Sequence, residues 1–141
     1  MRFIRTVSIK APPTRVWQVM SDVRAWPSWT ASVTSVQLLD DGPLRVGARA
    51  RVRQPRLPVA TWKVTALVPG TSFTWVARGP GLRTTGRHEV MPDGDWSTAT
   101  LTLDQDGPLG GMVGRPTKDL TERYLRLEAE GLKSRSEGTD G

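Results

Sequence analysis

The chain contains a single histidine, His88, and a single tyrosine, Tyr124, and these two side chains are the best suited to proton transfer or to holding a carbonyl. An imidazole exchanges protons near neutral pH, so His88 could orient a ligand carbonyl or move a proton in an aldol-type ring closure. No carboxylate is expected on the same inner face to orient the imidazole as a base, and the competing interpretation is a hydrogen-bonded core histidine. The Tyr124 hydroxyl could meet the polar end of a ligand, or lie at the rim while its ring packs in the core.

Metal and thiol chemistry is excluded by composition. The chain has no cysteine, which rules out disulfides, thiol nucleophiles and thiolate metal sites. A zinc site needs several ligands, and one histidine without cysteine does not supply them. We therefore predict no metal site and no cofactor.

Tryptophan is frequent, with six residues in the chain. Trp62 and Trp75 could stack on a flat or cyclic ligand, or they could pack as core residues. Opposite Gly86, the Trp75 ring would also cover the gap that a glycine leaves in the adjacent strand. Trp17, Trp26 and Trp29 are predicted to clamp two small helices onto the end of a sheet.

The positive charge of the chain forms no binding motif. The net charge is +6 and sixteen of the twenty basic residues are arginines, scattered along the sequence. Arg49, Arg51 and Arg53 alternate along one strand, and with Lys63 and Arg87 they could form a basic face for an anionic partner. Arginines on a solvated sheet surface, where they oppose edge pairing, are the better explanation, so we expect no nucleic acid partner.

The middle of the chain, residues 32–105, has the alternating pattern of half-buried strands separated by turn sequences such as VPGT, GPGL and PDGD. Short connections predict an antiparallel meander. Four-residue hairpin loops would pair Trp75 with Val64 and Gly86, and would pair His88 with Phe73 and Ala99. The inner face then collects Trp62, Val64, Phe73, Trp75, His88, Val90, Ala99, Leu101 and Leu103.

The two ends of the chain supply the other elements. Residues 2–10 alternate like a strand, and APPTRVWQVMSD with Pro27 beyond it predicts two short helices. Residues 112–133 have helical spacing, with an inner stripe of Val113, Pro116, Leu120, Tyr124, Leu127 and Gly131. Glu128 is assigned to the outer faces of this helix. Residues 134–141 are predicted to form a disordered tail, which leaves one domain over residues 1–133.

This order of elements resembles the START-like or SRPBCC superfamily. APPTRVWQVMSDVRAWPSW is similar to the opening of that family, and VTALVPGTSFTWV to its central hairpin. LDQDGPLGGMVGRPTKDLTERYLRLEAEGLK resembles the last strand and long helix of polyketide cyclase/dehydrase-like members. The resemblance covers residues 2–133 and implies an α+β helix-grip fold, in which a curved antiparallel sheet of about seven strands wraps a long C-terminal helix around a cavity.

The resemblance implies a hydrophobic small-molecule ligand, lipid- or polyketide-like, held between the sheet and the helix. The residues predicted to contact it are Trp62, Val64, Phe73, Trp75, His88, Leu101, Leu120 and Tyr124. The main interpretation is a binder or carrier, and two alternatives remain open: a cyclase or dehydratase in which His88 or Tyr124 assists proton transfer, and a regulatory module that acts through a protein partner. The protein is expected to be cytoplasmic, a monomer or homodimer, and not stably inserted in a membrane.

Overall fold

A computed structural model describes residues 1–110 and 116–138. Seven antiparallel strands form one sheet, β1 (Arg2–Ile9), β2 (Ser35–Leu38), β3 (Arg49–Arg53), β4 (Ala60–Val68), β5 (Ser72–Gly79), β6 (Leu82–Asp93) and β7 (Trp96–Asp106). Their order across the sheet is β1-β7-β6-β5-β4-β3-β2, so consecutive strands are neighbours from β2 to β7 and β1 closes on β7. Short turns between neighbouring strands produce this meander, as the sequence predicts. The helix-grip architecture is confirmed.

Two short helices connect β1 to β2. The α-helix α1 spans Pro13–Ser21 and begins with proline, whose missing N–H costs nothing in the first turn. A 3-10 helix, Val23–Ser28, follows at once and contains Pro27. Trp26 lies in this 3-10 helix, is buried, and donates its indole N–H to the carbonyl of Met20. The pair of helices therefore closes one side of the core beneath the sheet.

The long C-terminal helix, α2, spans Lys118–Glu137 and differs from the prediction at both ends. It starts after Pro116, and the predicted stripe residue Val113 lies outside the described residues. It continues through residues that were predicted to form a disordered tail, because a side chain from α1 stabilises its last turn. The Arg15 guanidinium donates to the carbonyls of Arg135 and Ser136, at 3.0 and 3.4 Å.

The buried face of α2 is rotated from the predicted stripe. Its buried residues are Tyr124, Leu125, Ala129, Leu132 and Ser136. Leu120, Leu127 and Gly131 are half-buried and Pro116 is exposed. The rotation brings Glu128 to the inner side of the helix, which corrects its assignment to the outer faces.

The register of the two central hairpins agrees with the prediction except near one turn. Trp75 pairs with Val64 and with Gly86, as expected. A β-bulge between Val64 and Ala66 shifts the rest of β4, so Ala66 pairs with Thr74, where an uninterrupted ladder would pair it with Phe73. The extra residue exchanges the two faces of β4 beyond it.

The predicted register of the last hairpin was wrong by two residues. His88 pairs with Leu101 instead of Ala99, and the same shift pairs Gly86 with Leu103. The cause is a two-residue turn after Asp93, where Gly94 has φ +61° and allows a tight reversal in place of a four-residue loop. A shift of two residues keeps every side chain on its predicted face.

The core lies between the concave side of the sheet and the helices. The inward strand residues Trp62, Val64, Phe73, Trp75, His88, Val90, Ala99 and Leu101 are all buried, whereas Lys63, Arg78 and Arg87 are exposed. Alternation along the strands therefore separates a packed face from a solvated one. No helix in the described part of the chain is long and apolar enough to cross a membrane.

Candidate functional site

A cavity of about 560 Å³ lies between the sheet, the 3-10 helix and α2. This volume falls in the range of small-molecule sites. Its walls are mainly apolar, and they include Trp26, Trp62, Trp75, Leu101, Leu103 and Leu125. Its polar wall groups include His88, Gln105, Thr121, Tyr124 and Glu128. The cavity therefore suits an apolar molecule that carries a small number of polar groups.

His88 and Glu128 form a buried pair in the cavity wall. His88 projects inward from β6, Glu128 projects from α2, and the imidazole Nε2 lies 2.8 Å from the carboxylate Oε1. The two side chains are only 8% and 13% exposed. An ionised Glu128 accepts the Nε2–H hydrogen bond, which leaves the lone pair of a neutral imidazole on Nδ1. In the described part of the chain, that buried Nδ1 has no hydrogen-bond partner.

The expectation that no inward carboxylate accompanies His88 was wrong. Glu128 lies one turn from Leu125 and one turn from Leu132, on the border of the buried face. The predicted stripe ran through Leu120, Tyr124 and Leu127, which left Glu128 outside it. A carboxylate that orients an imidazole and stabilises its protonated form is the arrangement of a general base. The single sequence signal for this pair is the i, i+4 relation of Glu128 to the inward Tyr124 and Leu132.

Aromatic rings hold the His88 imidazole in place. The ring stacks on Phe73, with centroids 4.5 Å apart and an interplanar angle of 7°. Trp26 lies 5.1 Å away and Trp75 5.8 Å away. The imidazole therefore has little rotational freedom, and its hydrogen bond with Glu128 has a fixed position in the cavity wall.

Trp62 and Trp75 line the cavity beside each other, with ring centroids 5.4 Å apart. A Cβ added at Gly86 would lie 3.1 Å from the Trp75 indole nitrogen, so the ring does cover the glycine gap. Trp75 therefore has both predicted roles, since it packs over Gly86 and also lines the cavity. Trp26, assigned to clamping alone, is also a wall residue and meets Trp75 at 5.3 Å.

Tyr124 is buried in the cavity wall, and its hydroxyl donates to the carbonyl of Pro55. Pro55 belongs to the β3–β4 loop, residues 54–59, which contributes Leu57 and Val59 to the cavity wall. The hydroxyl proton is therefore engaged within the protein. In this state Tyr124 offers a ligand its ring and the lone pairs of its oxygen.

Five of the eight predicted contact residues lie in the cavity wall, namely Trp62, Trp75, His88, Leu101 and Tyr124. Val64 and Phe73 are fully buried behind the wall, where they support the aromatic rings. Leu120 is half-buried near the start of α2 and is not among the described wall residues. Contact of any of these residues with a ligand stays a prediction. The sequence reasoning missed Trp26, Gln105 and Glu128.

The close seating of α2 depends on Gly131. A Cβ at this position would overlap the carbonyl oxygen of Trp29 and lie 2.9 Å from its ring. Trp29 follows the 3-10 helix directly and donates its N–H to the Trp26 carbonyl at 3.0 Å. Gly131 is three residues beyond Glu128 on the same side of the helix, so this approach also sets the depth of Glu128 in the cavity.

The basic face lies on the opposite, convex side of the sheet. Arg49 pairs with Asp40 at 3.4 Å and Arg87 with Glu89 at 2.6 Å, both exposed. Exposed pairs of this kind contribute little to stability. Within residues 1–110 and 116–138 no cluster of three or more histidine or acidic side chains could hold a metal ion.

Comparisons with known proteins agree with this geometry. A family model described as polyketide cyclase/dehydrase and lipid transport matches residues 1–137. No curated protein sequence matches the chain significantly. Among solved structures, the Zhui aromatase/cyclase from Streptomyces sp. R1128 superposes with a TM-score of 0.80 at 18% identity, covering 100% of this chain and 98% of its own. A START superfamily protein from Mycobacterium smegmatis has a TM-score of 0.77 at 20% identity, covering 96% and 97%. At these identities the structural likeness establishes the fold.

Proposed function

Since the chain belongs to the polyketide cyclase/dehydrase and lipid transport family, we propose that it binds a hydrophobic, carbonyl-bearing chain of polyketide type in the cavity and catalyses proton transfer on it. The observation that carries this proposal is the buried His88–Glu128 pair in an otherwise apolar wall. A binder of purely apolar cargo has no use for such a pair, and burying two ionisable groups costs free energy that their mutual hydrogen bond only partly offsets.

The proposed step begins at the carbon next to a ligand carbonyl. The His88–Glu128 pair takes a proton from that carbon, and the electron pair of the broken C–H bond forms the enolate. In a cyclase the enolate carbon bonds to a second carbonyl carbon of the same chain, and the resulting alkoxide takes the proton back from the pair. In a dehydratase the hydroxyl on the next carbon leaves instead, and the proton returns to it to give water.

Three features of the site support this chemistry. The aromatic rings around His88 exclude water and hold the imidazole, which preserves the alignment of the pair. The apolar walls hold the reactive chain away from solvent, where an enolate would be quenched. The carboxylate of Glu128 holds the imidazole through Nε2, which leaves Nδ1 to take the proton.

Hydrogen–deuterium exchange at the carbon between the two carbonyls of a long-chain β-diketone tests the proposal. The wild-type protein should accelerate exchange over buffer, and His88→Gln and Glu128→Gln should each lower that acceleration roughly 10²–10⁴-fold. The double variant should be no worse than either single variant, because the two residues act as a unit. Glu122→Gln, an exposed carboxylate of the same helix, is the matched control and should exchange like wild type.

The apolar walls favour a second candidate, a carrier that binds its cargo without reacting with it. The same experiment separates the two when tryptophan fluorescence measures binding alongside exchange. Saturable binding without any acceleration of exchange by wild type would refute the catalytic proposal and leave the carrier. No saturable binding of acyl, aromatic or polycyclic probes to the folded protein would refute both, and a module acting through a protein partner would replace them.

A further inference from the structure

Gln105 places a second polar group in the cavity, at a distance from the His88–Glu128 pair. It lies near the end of β7, opposite Thr84 of β6, and its side chain lines the cavity. The residue is only 8% exposed, and its Oε1 accepts no hydrogen bond from the described residues. A buried amide oxygen without a partner destabilises the fold, so native proteins rarely keep one unless a ligand or an ordered water satisfies it.

The separation between the two polar groups follows from the strand register. His88 pairs with Leu101, and Thr84 pairs with Gln105, so the two positions are four residues apart along both strands. At 3.2–3.4 Å per residue this spacing is about 13 Å. On the two strands between these positions, Gly86 and Leu103 pair with each other and line the cavity, and both are apolar.

We infer that Gln105 is a specificity residue that recognises a hydroxyl at the far end of the ligand from the carbonyl held at His88. The hydroxyl donates to Oε1, and the amide N–H of the same side chain can donate to the hydroxyl oxygen. The ligand class is thus an elongated apolar chain or fused-ring molecule with a carbonyl at one end and a hydroxyl at the other. This inference rests on the proposed function, since it assumes that the cavity is a ligand site.

Discrimination follows from the penalty for leaving Gln105 unpaired. A ligand that lacks the hydroxyl fills the cavity and leaves the amide oxygen buried without a donor. A site that is built to hydrogen-bond a polar group rejects an analogue that lacks it more strongly than an apolar pocket rejects a small change of shape. Gln105 would therefore select ligands by their distal group, whereas His88 and Glu128 act on the proximal one.

The test is a thermodynamic cycle with a long-chain methyl ketone and its ω-hydroxy counterpart of equal chain length. Isothermal titration of wild type should show that the hydroxyl tightens binding about threefold to tenfold, the value of one net hydrogen bond. Gln105→Met keeps the length of the side chain and removes its polar atoms, so it should bind both ketones with nearly equal affinity. Gln37→Met, which alters an exposed glutamine of β2, should keep the wild-type preference.

Ligand-free stability gives a second readout. Because no described residue donates to Oε1, Gln105→Met should melt at the same temperature as wild type or higher, with Gln105→Leu as a smaller substitute. A lower melting temperature for both variants would show that the amide has a structural role, and would overturn the inference. Equal affinity of wild type for the two ketones would overturn it as well, while leaving the ligand site intact. Failure of either ketone to bind saturably would overturn the proposed function along with it.

Discussion

Replacement of Gly131 by alanine tests whether α2 is seated as closely as the site requires. In an exposed helix interior this change stabilises a protein by about 1 kcal/mol, because alanine is the better helix former. Here the new Cβ would overlap the backbone oxygen of Trp29, an atom that cannot rotate away as a side-chain end can. Forcing an extra carbon into a packed contact costs about 1–3 kcal/mol. The two effects oppose each other, and the rigid backbone neighbour decides the sign.

We expect Gly131→Ala to lower the free energy of unfolding by up to about 2 kcal/mol, because the packing cost of about 1–3 kcal/mol is reduced by a gain of about 1 kcal/mol in helix propensity. For a chain of this size the melting temperature should fall by up to roughly 8 °C. Urea denaturation followed by tryptophan fluorescence, together with thermal melting by circular dichroism, measures both quantities. Gly79→Ala is the matched control, because a Cβ there meets no atom within 4 Å and its backbone is not in the left-handed region.

The same variant should affect the site, since an outward shift of α2 draws Glu128 away from His88. Ligand affinity and β-diketone exchange should both fall in Gly131→Ala. A Gly131→Ala protein that is more stable than wild type would refute the reasoning. It would mean that α2 is not in contact with the Trp29 backbone and that the depth of Glu128 is set elsewhere.

Three further predictions concern the ligand, the convex face and acid. Trp75→Ala should weaken the binding of an apolar dye by about 1–3 kcal/mol. His88→Ala should weaken the binding of that dye less, but should cost more for a ligand that carries a carbonyl. Fluorescence titration measures both affinities, and an equal loss for the dye and the carbonyl ligand in His88→Ala would contradict the role assigned to His88. Binding to duplex DNA should be weak and vanish at physiological salt, and submicromolar affinity in a salt titration would show that the convex arginines form a real binding surface. The Lys133 ammonium and the backbone N–H of Lys10 hold the pKa of Glu137 below its ordinary value of 4.5, so the stability it provides is present above about pH 4.5 and is lost as pH falls further. The difference in melting temperature between wild type and Glu137→Gln should therefore shrink between neutral pH and about pH 3, and a constant difference would disprove the linkage.

Period-two alternation was sufficient to predict which side of the sheet each central residue faces. Trp62, Trp75 and His88 are inward as the pattern requires, although the length of the last hairpin was wrong. The face survived that error because side-chain direction in a strand repeats every two residues, so a two-residue slip changes partners without changing sides. The bulge in β4 was not predictable in this way. The residues on each side of an inserted residue still alternate regularly, so the pattern does not show where the insertion lies.

The His88–Glu128 pair was decided by the tertiary structure alone. The stripe on α2 is broad, and a carboxylate on its border can face solvent or the interior with nearly the same spacing from its apolar neighbours. What brings Glu128 inward is the rotation and depth of the helix, which depend on the contact of Gly131 with Trp29, about a hundred residues away in the chain. Gln105 shows the same limit: it has the parity of Leu101 and Leu103, but its lack of a partner among the described residues depends on every element packed around it. The sequence by itself determined the architecture and the apolar walls, whereas the position of the polar groups within those walls depends on contacts between distant segments.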